Sequence, residues 1–148
     1  MSRRERNPQS ELESLIDTYG DRILRFCYLD LMSLDVAQST VQDIFVKIYS
    51  SRKFSSKRLS ENQIFRIMIR QCRKSSSLPK ISRTDIGDFS LIWLEKMPAI
   101  DREIFLLRYY MGAQPNEIAR ICGILPFVVR HRLTLLVQQV EHAWERNL

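Results

Sequence analysis

Apolar residues recur every three or four positions along most of the chain, which is the spacing of amphipathic helices. In the first half, such stripes run through residues 12–26, 37–48 and 59–74. Ser60 and Gln63 have the spacing of a capping box at the start of the third stripe. The pattern therefore predicts three helices in the first half of the chain.

The second half has the same helical spacing with clearer stop signals. A short helix ends at Pro98, and a helix over residues 101–111 is stopped by Gly112. The segment from Gln114 to Glu117 fits the start of the next helix, with proline at its first position. A last helix carries an apolar stripe that we expect to pack as core. The stripe consists of Val129, Leu133, Leu136, Val140 and Trp144.

Between the halves, residues 77–90 contain proline and glycine and show no sustained period, which is typical of a linker. We therefore predict an all-α protein made of two small helical domains. The first domain covers residues 1–76, and residues 91–148 form the second, with a short linker between them. No apolar run approaches the length of about 20 residues needed to span a bilayer, so a cytoplasmic protein without membrane contact is expected.

Composition adds two constraints. Hydrophobic residues make up 45% and charged residues 27% of the chain, which is the balance of a globular protein. The three cysteines are widely separated, odd in number and without metal-ligand spacing, so we expect reduced thiols that pack as small apolar groups. Redox sensing remains the alternative for them. The two histidines, His131 and His142, have no partner suited to catalysis, so we expect no enzyme, no metal site and no cofactor.

The net charge of +6 is concentrated in one segment. Residues 52–83 hold ten lysines and arginines against one acid, a net charge of +9, whereas the segments before and after it have net charges of −2 and −1. Such a block commonly binds phosphate. A solvated basic helix face is the alternative.

The stretch EIARICGILPFVVRHRL, residues 117–133, has the features of a helix-turn-helix. Ala119 is the small residue at the crossing and Gly123 the turn residue. The apolar anchors are Ile118, Cys122, Ile124 and Val129. With those anchors buried, Arg130, His131 and Arg132 begin on turns that face outward, where arginine can bind guanine edges or phosphates. A basic helical corner without DNA-binding function has a similar pattern.

Longer runs resemble a known family. MPAIDREIFLLRYYMGAQPNEIARICGI followed by VVRHRL resembles region 4 of bacterial sigma factors, above all the extracytoplasmic-function class. YGDRILRFCYLDLMSLDVAQSTVQDIFVKIYSS and IFRIMIRQCRKSS resemble region 2 of that class, the second run being similar to its promoter-melting helix. Two modules in the right order cover nearly the whole chain.

The resemblance implies which residues bind which partner. The second helix would dock on the clamp helices of the RNA polymerase core, and the flap of the core is a further implied contact. The residues implied for core binding are Asp35, Gln38, Gln42, Asp43 and Lys47. Those implied for the −10 element and the opened promoter strand are Lys57, Arg58, Arg66, Arg70, Arg73 and Lys74. Those implied for the −35 element of duplex DNA are Arg120, Pro126, Phe127, Arg130, His131 and Arg132. An anti-sigma factor is an optional further partner.

Two positions and one four-residue segment depart from the family pattern. Gln63 stands where tryptophan is usual, and Arg70 stands where asparagine is usual. Leu125-Pro126-Phe127-Val128 replaces small polar residues at the head of the recognition helix. Its apolar side chains are suited to thymine methyl groups or to a protein partner, and an unusual −35 preference is the interpretation that we favour.

These observations predict an RNA polymerase sigma factor that directs promoter-specific initiation of transcription. The first alternative is a sigma-like regulator that binds DNA or polymerase but has lost promoter opening. The second is a protein-interaction module, which a flat salt dependence of DNA affinity would indicate.

Overall fold

The computed structural model describes residues 7–51, 59–76 and 89–146. Every regular element within these residues is a helix, which confirms the predicted all-α class. The chain divides into two compact units, Met1–Arg83 and Thr84–Leu148. The division falls inside the segment assigned to the linker, of which residues 77–88 lie outside the described part.

Three helices form the first unit: α1 (Pro8–Leu31), α2 (Leu34–Ser50) and α3 (Glu61–Ser76). The capping box before α3 is confirmed. The Ser60 amide donates to Gln63 Oε1 at 2.8 Å, and the Gln63 amide donates to Ser60 Oγ at 3.2 Å. Ser33 accepts from the Val36 amide at the start of α2. Side chains therefore satisfy backbone groups that these helix starts would otherwise leave unpaired.

All three helices of this unit pack against one another around a core of large apolar side chains. The predicted stripes supply that core: Ile23, Phe26, Ile44, Ile48, Phe65, Met68 and Ile69 are each at most 1% exposed. Cys27 of α1 and Cys72 of α3 are buried cysteines whose Sγ atoms lie 3.5 Å apart. Thr40 Oγ1 and Ser75 Oγ lie 2.6 Å apart and join α2 to the end of α3.

The second unit begins with α4 (Phe89–Lys96) and, after Pro98, α5 (Ala99–Phe105). A π-helical turn, Leu106–Tyr110, continues α5 without a break. Gly112, at φ 76°, then ends the segment as predicted. The helix expected over residues 101–111 thus starts two residues earlier, and its last turns are wider than an α-helix.

Two further helices complete the second unit: α6 (Pro115–Cys122) and α7 (Pro126–Arg146). Both α5 and α6 pack against α7. Only the first part of the predicted α7 stripe is core. Val129 and Leu136 are buried and Leu133 is half-buried, but Val140 is 36% exposed.

The expectation that the whole stripe packs as core was therefore wrong at Val140. Trp144 lies in a part of α7 whose side chains are not described. Val140 is exposed because α7 is longer than the helices that pack against it. At about 1.5 Å per residue, the 21 residues of α7 extend well beyond α5 and α6, which have 7 and 8 residues.

Candidate nucleic-acid interface

A cationic groove lies between the end of α2 and the outer face of α3 in the first unit. Its volume is about 720 Å³. Arg66, Arg70 and Lys74 follow at four-residue intervals, so they lie on one stripe of α3, and all three line the groove with Lys47 of α2. All four side chains are exposed. The groove therefore concentrates positive charge on a concave surface, as a nucleic-acid backbone requires.

Polar and apolar groups complete the lining of this groove. They are Ser50, Ser51, Leu59, Gln63, Ile67 and Gln71. None of these described residues is aromatic, so the described part of the lining offers no stacking platform. Phe65 is buried and packs edge-on against Tyr19, with ring centroids 6.2 Å apart, which agrees with the prediction that it is core. Phe54, the other aromatic residue considered for stacking, lies outside the described residues together with Lys57 and Arg58.

The residues implied for core binding all lie on α2. Asp35, Gln38, Gln42 and Asp43 are exposed there. Lys47 also lies on α2, but it lines the cationic groove beside Arg70 and Lys74. No sequence pattern indicated this position of Lys47, because the approach of α2 to α3 decides it.

A second, smaller depression of about 620 Å³ borders the groove on the same side of the unit. It is lined by Asp43, Lys47, Lys74 and Ser75, with Val46, Ser50 and Gln71 between them. Asp43 and Lys47, implied for polymerase, thus lie next to Lys74, implied for DNA. The structure does not separate these two predicted surfaces completely, and Arg73, which is also exposed, lines neither depression.

A helical corner between α6 and α7 forms the candidate site of the second unit. The predicted start of α6 is confirmed, with Pro115 in the first turn and the Gln114 amide donating to Glu117 Oε1 at 3.2 Å. At its end, Gly123 adopts φ 71°, and the amides of Gly123 and Ile124 both donate to the Ala119 carbonyl. The axes of α6 and α7 differ in direction by 113°, which is within the usual range for a helix-turn-helix.

The outward face of α7 carries side chains of mixed chemistry. At 100° per residue, Phe127, Arg130, His131 and Thr134 fall within one sector of the helix, and all four are exposed. The buried residues Val129 and Leu136 occupy the opposite side. We use the name "outward face" for the set Phe127, Arg130, His131 and Thr134 below.

Arg132 does not belong to the outward face. Its guanidinium donates from Nη1 to Asp101 of α5 at 3.2 Å, and the Asp101 side chain is only 13% exposed. Arg130 is exposed, and its Nη1 lies 3.5 Å from Asn116 Oδ1 at the start of α6. Asp101 and Asn116 were not anticipated as partners, since they lie 31 and 14 residues away in the chain.

The remaining implied residues of this site are exposed. Arg120 lies on α6, and Pro126 begins α7. Among the described side chains of both units, no group of three or more histidine, cysteine, aspartate or glutamate residues is arranged to hold a metal ion. In the same residues, no single helix has the length and apolarity to cross a membrane; α6 together with most of α7 reaches that threshold only as a sharply bent pair.

The fold is similar to that of one solved structure. No family model and no curated protein sequence matches the chain. The solved structure of CnrH in complex with the cytosolic domain of CnrY is similar to it, with a TM-score of 0.75 and 17% sequence identity. The match covers 95% of this chain and 91% of that one. CnrH is an extracytoplasmic-function sigma factor, so the chain has a sigma-factor fold.

Proposed function

We propose that this protein is an RNA polymerase sigma factor that binds the polymerase core and directs it to specific promoters. The observation that carries the proposal is the presence of one DNA-suited surface on each unit of this fold. The first unit has the cationic groove, and the second has the outward face of a helix-turn-helix. A single duplex read at two separated elements requires such a pair of surfaces.

In this proposal, the groove holds the −10 region. Arg66, Arg70 and Lys74 present positive charge at regular intervals, which suits the phosphates of an opened strand. Lys47 is a fourth contact to the same strand, in addition to the polymerase contact implied for it. The exposed residues of the first turns of α2, Asp35 and Gln38, remain for the polymerase core.

The second unit reads the −35 element in this proposal. The outward face enters the major groove, and Arg120 of α6 reaches the phosphates beside it. Arg132 acts as a positioning residue through its bond to Asp101, and not by direct contact with DNA. Because the similar structure is of CnrH in complex with the cytosolic domain of CnrY, an anti-sigma domain, we include an anti-sigma factor among the partners proposed for this chain.

In vitro transcription with purified polymerase core tests the proposal. Core supplemented with the protein is incubated with a library of promoter fragments, and the 5′ ends of the transcripts are sequenced. We expect a small set of start sites that core alone does not produce. Runoff product that is identical with and without the protein would contradict a sigma function.

A charge reversal in the groove tests the assignment of the first unit. Arg66→Glu with Arg70→Glu should abolish runoff product while core binding persists, because the opened strand loses two cationic contacts. Arg25→Glu is the matched control, since Arg25 is an exposed arginine of the same unit that does not line the groove. Equal loss of product in both variants would contradict a specific role for the groove.

One observation favours the first alternative, a sigma-like regulator without promoter opening. Gln63, at the position where the resembled family has tryptophan, is a capping residue of α3 and offers no ring for stacking. In the same assay this alternative predicts binding to core and to duplex promoter DNA without any transcript. A salt-independent DNA affinity would instead support a protein-interaction module.

A further inference from the structure

Two large apolar side chains stand exposed at the front of α7. Leu125 is 60% exposed and Phe127 is 62% exposed, within one turn of each other. The buried neighbour Val129 shows that the same segment also supplies core residues. A pair of bulky apolar groups held outward on a rigid corner is typical of a contact surface.

The charges around this pair decide the class of partner. Arg130 and His131 lie one turn beyond Phe127 on the outward face, and Arg120 is exposed on α6. The acidic residues of α7, Glu141 and Glu145, are near its other end. An apolar protein surface would leave Arg120 and Arg130 without an opposite charge, at a desolvation cost. A polyanion with apolar groups accessible between its charges fits the arrangement better.

In DNA, the major groove presents one such apolar group, the C5-methyl of thymine. The usual alternative is an arginine that donates two hydrogen bonds to guanine, and this helix has few arginines placed for such a contact. Arg132 is bonded to Asp101 on the packed side, and the exposed Arg130 has a single long contact, of 3.5 Å, to the uncharged amide of Asn116. The front edge of α7 therefore offers Phe127 and Leu125 to the bases, while Arg130 remains exposed beside them for contact with phosphates.

We propose that Phe127, with Leu125 at its edge, recognises thymine methyl groups and so gives the −35 element a thymine-dependent specificity. This inference rests on the proposed function, because it assigns a specificity to the duplex-reading surface of the second unit. Contact with a methyl group needs no hydrogen-bond donor, so the proline that begins α7 and the missing polar cap before it do not impair recognition.

Selection followed by methyl deletion tests the inference. The full chain with polymerase core first selects duplexes from a randomised pool, which yields the preferred −35 sequence. Each thymidine of that sequence is then replaced by deoxyuridine, which removes only the methyl group. We expect affinity to fall about fourfold at one or two adjacent positions, the factor for one buried carbon, and to remain unchanged at the others.

A double-mutant cycle assigns the effect to Phe127. Phe127→Ala should weaken binding to the thymidine duplex and be indifferent to deoxyuridine at the sensitive positions. Leu135→Ala is the matched control, because Leu135 is an apolar residue of α7 that is 41% exposed and lies off the outward face; this variant should keep the full methyl dependence. Circular dichroism should show unchanged helicity in both variants.

The possible results distinguish a failure of thymine-methyl recognition from a failure of the proposed sigma-factor function. Binding of promoter duplexes by the wild type without any methyl dependence overturns the inference and leaves the proposed function intact. An unchanged duplex affinity of the Phe127→Ala variant also overturns it, and this is the result expected if the apolar pair docks a protein. Failure of the wild type with core to select any duplex refutes the proposed function, and the inference with it.

Discussion

Gly123, in the turn between α6 and α7, allows a prediction of stability, because only its backbone conformation requires a glycine there. Gly123 has φ 71°, and a Cβ added there would meet no atom within 4 Å. The substitution Gly123→Ala therefore introduces no clash, only a left-handed conformation that costs an L-residue about 1–2 kcal/mol. The alanine also restricts the unfolded chain, which offsets about 0.4–1 kcal/mol of that cost. We expect a net loss of about 1 kcal/mol.

Gly20 provides the matched control for the same chemical change. It lies within α1, and an added Cβ would meet Ile16 Cγ2 at 3.6 Å, an ordinary contact. Glycine inside a helix is less favourable than alanine by about 0.5–1 kcal/mol. Gly20→Ala should therefore stabilise the first unit by about that amount. The same substitution thus has opposite signs in the two units.

Urea denaturation followed by two signals measures both effects. Both tryptophans of the chain, Trp93 and Trp144, belong to the second unit, so tryptophan fluorescence reports on that unit. With a slope of about 1 kcal/mol per molar urea for a unit of this size, Gly123→Ala should lower the fluorescence midpoint by about 1 M. Gly20→Ala should leave that midpoint in place and raise the transition that is seen only by circular dichroism.

A third variant isolates the backbone cause. Gly123→Asn should recover part of the loss, because asparagine tolerates the left-handed conformation better than alanine. An unchanged or raised fluorescence midpoint in Gly123→Ala would refute the reasoning. So would a Gly123→Asn variant that is less stable than Gly123→Ala, since steric bulk and not φ would then decide the effect.

Three other substitutions test separate contacts. Thr40→Val keeps the shape of a buried side chain but removes two hydrogen bonds of its Oγ1 atom, one with Ser75 Oγ and one to the Val36 carbonyl. The unfolding free energy of the first unit, measured by circular dichroism, should therefore fall by about 1–2 kcal/mol. No change would show that these two bonds do not stabilise the unit. The double-mutant cycle of Asp101→Ala and Arg132→Ala, followed by fluorescence, should give a coupling free energy of about 0.5–1 kcal/mol, since the pair is partly exposed. Additive effects of the two substitutions would show that this ion pair does not stabilise the packing of α5 on α7. Arg70→Ala should reduce the slope of log affinity against log salt concentration for opened-promoter DNA by about one charge. Filter binding at several salt concentrations measures this slope. An unchanged slope would show that Arg70 does not contact a phosphate.

The helices were predictable because their local signals agree with one another. The capping box at Ser60 and Gln63, the proline-glutamate start of α6 and the stop at Gly112 are short-range devices that depend on a few neighbouring residues. Apolar periodicity identified the buried faces of α2, α3 and the second half of α1, from Ile23 onward. In the first half of α1 the predicted stripe is not core, since Ile16 is 42% exposed.

Features that depend on tertiary distances were not predictable. The partner of Arg132 is Asp101, which is 31 positions away and lies on another helix. Lys47 joins the cationic groove because the end of α2 approaches α3. The loss of burial at Val140 reflects the short lengths of α5 and α6, which periodicity along α7 does not encode. The π-helical turn at Leu106–Tyr110 likewise has no signal in the apolar pattern.

The last turns of α7, residues 137–146, extend beyond α5 and α6 and are expected to be locally less stable. From Val137 to the end of the helix, the side chains of known burial are all exposed, so these last turns have hydrogen bonds of their own but little tertiary support. A helical segment of about ten residues is marginal in water without such support. Fraying should therefore begin at this end, and its amide protons should exchange with solvent long before those around Val129. A protein that binds residues 137–146 would slow the exchange of their amide protons before that of any others in α7.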